Sequence, residues 1–172
     1  MQNWIDTRAT RDEAWWRYEG NADGLPALAD LLLPVEAYAE SRALWHARPG
    51  RLGLLIGPGE DPQRLAPWLD SLDLVAVEFT RFADGRGFTI GRLLRDRLHW
   101  AGALAATGEL IPDQVPMLAR CGFDRFELPD PAQARRALTL LANDPVHRLM
   151  SQTAAGRLPL PGTGARRRLA AH

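Results

Sequence analysis

The residues best suited to chemistry lie in Thr80-Arg-Phe-Ala-Asp84-Gly-Arg-Gly-Phe-Thr-Ile-Gly-Arg92, directly after the apolar run Val75-Ala-Val-Glu-Phe79. A β-type run that feeds a Gly-, Arg- and Asp-rich loop and then a helix leaves amides and guanidiniums at the carboxyl end of a strand. In α/β folds that is where ligands, anions above all, are held. Gly85 and Gly87 let the backbone approach an anion closely. Arg81, Arg86 and Arg92 can give paired N–H donors to a carboxylate, phosphate, sulfate or sulfite, with Asp84 orienting them. The same residues admit a structural reading, in which Asp84 pairs with Arg86 or Arg92 and the glycines only make a tight turn. Thr89 can cap the helix if it starts there.

Two further acids fall after later strand candidates, Glu109 and Asp113. With Asp84 they are candidates for acid/base work, because barrel enzymes gather such groups at the carboxyl ends of strands. Asp113 also suits a helix N-terminus on dipole grounds alone. The spacing Gly85-x-Gly87-x-x-x-Gly91 has the look of a dinucleotide fingerprint, but its first glycine comes too long after Phe79. All 21 basic residues are arginine, so Schiff-base and P-loop lysine chemistry are excluded. Cys121 is the single cysteine, which excludes an intramolecular disulfide and cysteine-built zinc or iron–sulfur sites. His46, His99, His147 and His172 have no metal-ligand spacing, and no Ser-His-Asp arrangement is visible. No metal and no cofactor is expected.

The formal charge is zero but uneven: residues 1–142 carry −4 and residues 143–172 carry +4. That balance disfavours nucleic acid as a partner. The apolar run near Leu25–Leu33 is too short to span a membrane, and the start Met1-Gln-Asn-Trp-Ile-Asp has no signal-peptide pattern, so a cytoplasmic location is expected.

Four strand candidates position the loops: Leu52–Ile56, Leu74–Phe79, Ala103–Thr107 and Phe123–Leu128. Asp61-Pro62 and Asp130-Pro131 read as helix starts, although Pro67 interrupts the first helix; Pro112 starts another that Gly122 can end. The pattern predicts an α/β fold of four consecutive βα units with a parallel sheet, either a half-barrel or a small open sheet, with the likeness of the units favouring the half-barrel. Residues 1–50 read as an N-terminal extension with one strand (Glu13–Glu19) and one helix (Pro34–Trp45), packed on the sheet. Residues 51–142 form the βα core, and 143–172 a largely disordered tail.

Val75–Arg97, Gly108-Glu-Leu-Ile-Pro-Asp-Gln114 and Arg120-Cys-Gly-Phe-Asp-Arg-Phe126 together resemble the bacterial domain-of-unknown-function 934 family. The shared blocks fall on Phe79, Phe82, Asp84 to Gly87, Arg92, Arg95, Asp113, Gln114 and Arg120 to Asp124. The resemblance implies a link to sulfite reduction and the label of an oxidoreductase, with no catalytic residue established. The chain departs from the pattern at Thr80-Arg81, where Pro-Lys is usual, and at Ala103 and Ala105, where Glu and Arg are typical.

These readings lead to an accessory or regulatory protein of bacterial sulfite/sulfate assimilation that binds a small anion. A half-barrel enzyme acting on a phosphorylated or carboxylated metabolite, and a structural partner of a reductase or a homo-oligomer, stay open beside it. Cys121 falls late in a helix, away from its positive end, and reads as an inert buried thiol. A thiol reagent should therefore label the native chain slowly and the unfolded chain fast; rapid native labelling would reveal a thiolate.

Overall fold

A computed structural model describes residues 3–21, 25–81 and 85–149. Eight strands join in one sheet: β1 (Asn3–Asp6), β2 (Thr10–Arg11), β3 (Trp15–Arg17), β4 (Asp30–Pro34), β5 (Leu52–Ile56), β6 (Leu74–Phe79), β7 (Ala103–Gly108) and β8 (Arg125–Leu128). Their spatial order is β2-β1-β8-β7-β6-β5-β4-β3. Every pair from β3 to β8 is parallel, whereas β1 runs antiparallel to both β8 and β2. The sheet is thus mixed, a correction to the parallel sheet expected. β1 and β2, four and two residues long, are too short for their alternation to show in sequence, whereas β3 falls within the Glu13–Glu19 strand read there.

The sheet is curled into a half-barrel, and a short link shows why. β2 and β3 are opposite edges, yet only residues 12–14 join them. Four Cα steps reach at most about 15 Å, whereas a flat eight-stranded sheet is roughly 34 Å across. The edges are therefore drawn together around a concave face.

Alternation along the strands builds two cores. The convex face carries Ile5, Leu33, Leu54, Val75, Val77, Leu104, Phe126 and Leu128 against the helices. The concave face is filled by Trp4, Trp15, Leu32, Leu74, Ala76 and Ala105, with Leu55 and Ala103 at its margin.

The first fifty residues supply four strands and two short helices, α1 (Val35–Glu40) and α2 (Arg42–His46), more than the single strand and helix read from sequence. After β5 the chain forms two 3-10 turns, Pro62–Leu65 and Leu69–Ser71, in place of the expected helix, with Pro67 between them. Proline lacks the amide that a continuing helix needs. After β6 comes α3 (Arg86–Asp96), after β7 a 3-10 turn and α4 (Val115–Arg120), and after β8 α5 (Pro131–Asn143). Asp130 caps α5 by accepting from the Gln133 amide at 2.8 Å. Gly122 follows α4 at φ +95°, the left-handed conformation that its position requires. Residues 145–149 are helical again; the rest of the expected tail lies outside the described residues.

α3 lies on the sheet through its glycines. A Cβ at Gly87 would stand 2.5 Å from the Phe79 ring, and one at Gly91 would overlap the ring of Phe123. Gly91→Ala should lower stability by about 1–3 kcal/mol, the usual cost of overpacking. Adding Phe123→Leu should recover part of that loss in a urea titration; strictly additive losses would show that the two do not touch.

Candidate functional site

Both loops of interest open at one end of the half-barrel. β6 and β7 are parallel and in register to their last residues, Phe79 opposite Gly108, and the Glu109 amide donates to the Phe79 carbonyl at 2.7 Å. The loop from 80 and the loop from 109 thus leave from the same edge, which forms the mouth.

Of the rim residues, Arg81, Gly85 and Arg86 are exposed. Gly85 is the residue before α3 and gives no side-chain cap, with nothing within 4 Å of where its Cβ would be. Thr89 lies inside the helix, not at its cap, because α3 already begins at Arg86. The Arg86 guanidinium reaches across to the Gly57–Glu60 turn, lying 3.3 Å from the Cβ position of Gly59. Gly87 is buried, its α-carbon facing Phe79. Arg92 is exposed and stands 3.8 Å from Asp96 one turn on. Asp84 lies outside the described residues. Glu109 is exposed at the mouth, whereas Asp113 turns to the outer surface and meets Arg136 of α5 at 3.0 Å.

The structure also gathers a set that was not singled out in sequence. Arg17 on β3 donates to Glu78 on β6 at 2.8 Å and to Glu127 on β8 at 3.1 Å. Three strand spacings separate β3 from β6 and five separate β3 from β8, about 14 and 24 Å if flat. Only the curl brings these groups within reach of one guanidinium. Thr107 of β7 stands in register with Glu78 on the same face, fully buried, its Oγ1 without a hydrogen-bond partner. Deeper in, Arg125 Nε is also covered and stands 3.6 Å from Glu13, too far for a hydrogen bond. Ala105, opposite Arg125, and Ala103 both belong to this concave face. The sequence did carry a signal: Glu78 interrupts an apolar strand, and Glu127 sits between Phe126 and Leu128. A charge on a strand whose neighbours are core residues marks a face turned to something polar.

Other charged groups hold the scaffold. Arg95 of α3 donates to the carbonyls of Gly122, Trp100 and Gly102 and meets Asp124 at 3.0 Å. Asp124 in turn accepts from the Leu104 amide at 3.1 Å. Burial lowers the pKa of Arg95 and raises that of Asp124, each partly offset by the other's charge. Arg120 grips Asp144 through two nitrogens, at 2.7 and 3.1 Å, and holds that carboxyl below its ordinary value. Gln114 accepts from the Ile111 amide at 3.2 Å. Cys121 follows α4 half-buried, and burial pushes its thiol up, away from a reactive thiolate. Among the described residues no group of three or more His, Cys, Asp or Glu could hold a metal, and no helix is long and apolar enough to cross a membrane.

The chain belongs to the family described as "Bacterial protein of unknown function (DUF934)", whose model matches residues 53–157. Comparison with curated proteins finds no match. The match spans β5 to α5 and includes Arg95, Gly122 and Asp124, while Arg17, Trp4 and Trp15 lie before it.

If Arg95 and Asp124 are a structural clasp, Arg95→Met should destabilise the fold without touching the mouth. Stranding a buried partner costs roughly 3–5 kcal/mol; with Asp124 about a third exposed, the lower end, about 3 kcal/mol, is expected in urea denaturation. A loss below about 0.5 kcal/mol would show the clasp to be incidental.

Proposed function

We propose that this chain is an accessory or regulatory protein of bacterial sulfite/sulfate assimilation that takes up a small anion at the rim of its half-barrel. The observation that supports the reading most is the register of β6 and β7, by which the chain leaves Phe79 at the edge that forms the mouth of the concave face. There Gly85, the residue before an 11-residue helix, gives no side-chain cap to its first amides, and Arg81 and Arg86 are exposed. The link to sulfur assimilation comes from the family resemblance. Cytoplasmic action, and a reductase or a second copy as partner, belong to the same proposal.

A second reading is favoured by a different observation. Glu78 and Glu127 point into the mouth of a curled parallel sheet, where half-barrel enzymes place their acid and base. In an enzyme built on this scaffold, acting on a phosphorylated or carboxylated metabolite, these two replace Asp113, which faces Arg136 on the outside. The rim arginines then hold the substrate's anionic group.

Thermal melts with sulfite, sulfate and phosphate test the rim. A ligand at about a hundred times its dissociation constant adds about 2.7 kcal/mol to the folded state. Arg86→Ala should abolish that shift. An unliganded Arg86→Ala protein that is destabilised yet still responds to anions would refute the clamp.

A further inference from the structure

The concave face carries a polar row that the rim loop does not use. Glu78 on β6, Thr107 on β7 and Glu127 on β8 are acceptors on three neighbouring strands. Glu78 pairs with Thr107, and continuing the register of Ala105 with Arg125 by two residues brings Thr107 beside Glu127. Thr107 shares its face with Ala105, so the hydroxyl is aimed at the concave side, fully buried and without a partner. Buried polar groups are paired in the great majority of cases, and one that is not needs a reason. Arg17 lies over this row and takes one oxygen from each glutamate. One cation against two carboxylates leaves the row with a net charge of −1.

A groove of about 930 Å³ lies beside β1, β2, β3 and the start of α5, lined by Trp4, Trp15, Trp16, Arg11 and Arg135; it meets the row only at Arg17. That volume falls in the range of small-molecule sites. Trp4 pairs with Glu127 across β1 and β8, which sets an aromatic wall beside a carboxylate.

We propose that the Glu78–Thr107–Glu127 row is a site for a small organic cation, a guanidinium or primary ammonium group, whose place Arg17 takes in the unliganded chain. Two carboxylates accept well from such cations. A primary ammonium has three donors and no acceptor, matching three acceptors in a row. Arg17 is the displaceable party. It sits on a three-residue edge strand paired only with β4, and its side chain is 31% exposed. The anion loop plays no part in this site, so each can fail alone.

Isothermal titration of the full chain with methylguanidinium and with ethylammonium, against neutral methylurea, tests it. Saturable binding of either cation, but not of methylurea, is expected. Arg17→Met should tighten the binding about tenfold by removing the competitor, and Glu127→Gln should weaken it about tenfold. Thr107→Val should weaken cation binding while the unliganded protein melts at the same or a higher temperature, because the substitution removes an unpaired hydroxyl. No saturable binding by either the wild type or Arg17→Met would overturn the proposal. Equal affinity for methylurea, or a Thr107→Val protein that binds cations as the wild type does, would overturn it too. Should Arg17→Met fail to fold, the Thr107→Val comparison decides.

Discussion

A three-residue link, Asp12 to Ala14, ties together two strands that form opposite edges of one sheet. The sheet can satisfy that only by curling, and the curl creates everything of functional interest. It gives the chain a concave face and sets Arg17 opposite two glutamates from distant strands. It also decides what fills that face. Trp4 and Trp15 come from the N-terminal strands and meet Gly53, Ala76 and Ala105 from the central ones. A Cβ at Gly53 would stand 3.1–3.2 Å from Leu32, Leu74 and Trp15 at once, so large and small residues interlock there.

The residues that make the family recognisable hold the scaffold in several cases. Arg95 and Asp124 clasp α3 to the start of β7 and β8, Gly122 turns the chain between them, and Phe123 packs on Gly91. The departures from the resemblance fall elsewhere. Ala103 and Ala105, where Glu and Arg are typical, both belong to the concave face, beside the unpaired Arg125 Nε and Thr107 hydroxyl.

Much of the frame was legible in the sequence. The four core strands, the caps at Asp61 and Asp130 and the turn at Gly122 each rest on local chemistry, and local chemistry is what a sequence displays. What escaped was long-range. The short β1 and β2 show no periodicity, and the pairing of β1 with β8 and of β3 with β4 depends on distant contacts, more than a hundred residues away for β1. Pro67 was visible, but only the structure shows that it divides the segment into two 3-10 turns. The candidate site was half legible for the same reason. The rim loop announces itself by composition, whereas Glu78 and Glu127 gain meaning only when Arg17 arrives from sixty-one and one hundred and ten residues away.

The account rests on that guanidinium bridging strands that a flat sheet would hold far apart. A double-mutant cycle between Arg17→Met and Glu127→Gln, read by urea denaturation, measures the bridge itself. Residues in direct contact couple by about 0.5–3 kcal/mol, and the partial exposure of Arg17 places the expected value near the lower end. A coupling indistinguishable from zero would mean that β3 and β8 do not meet across the concave face, and the curled sheet as described would be wrong.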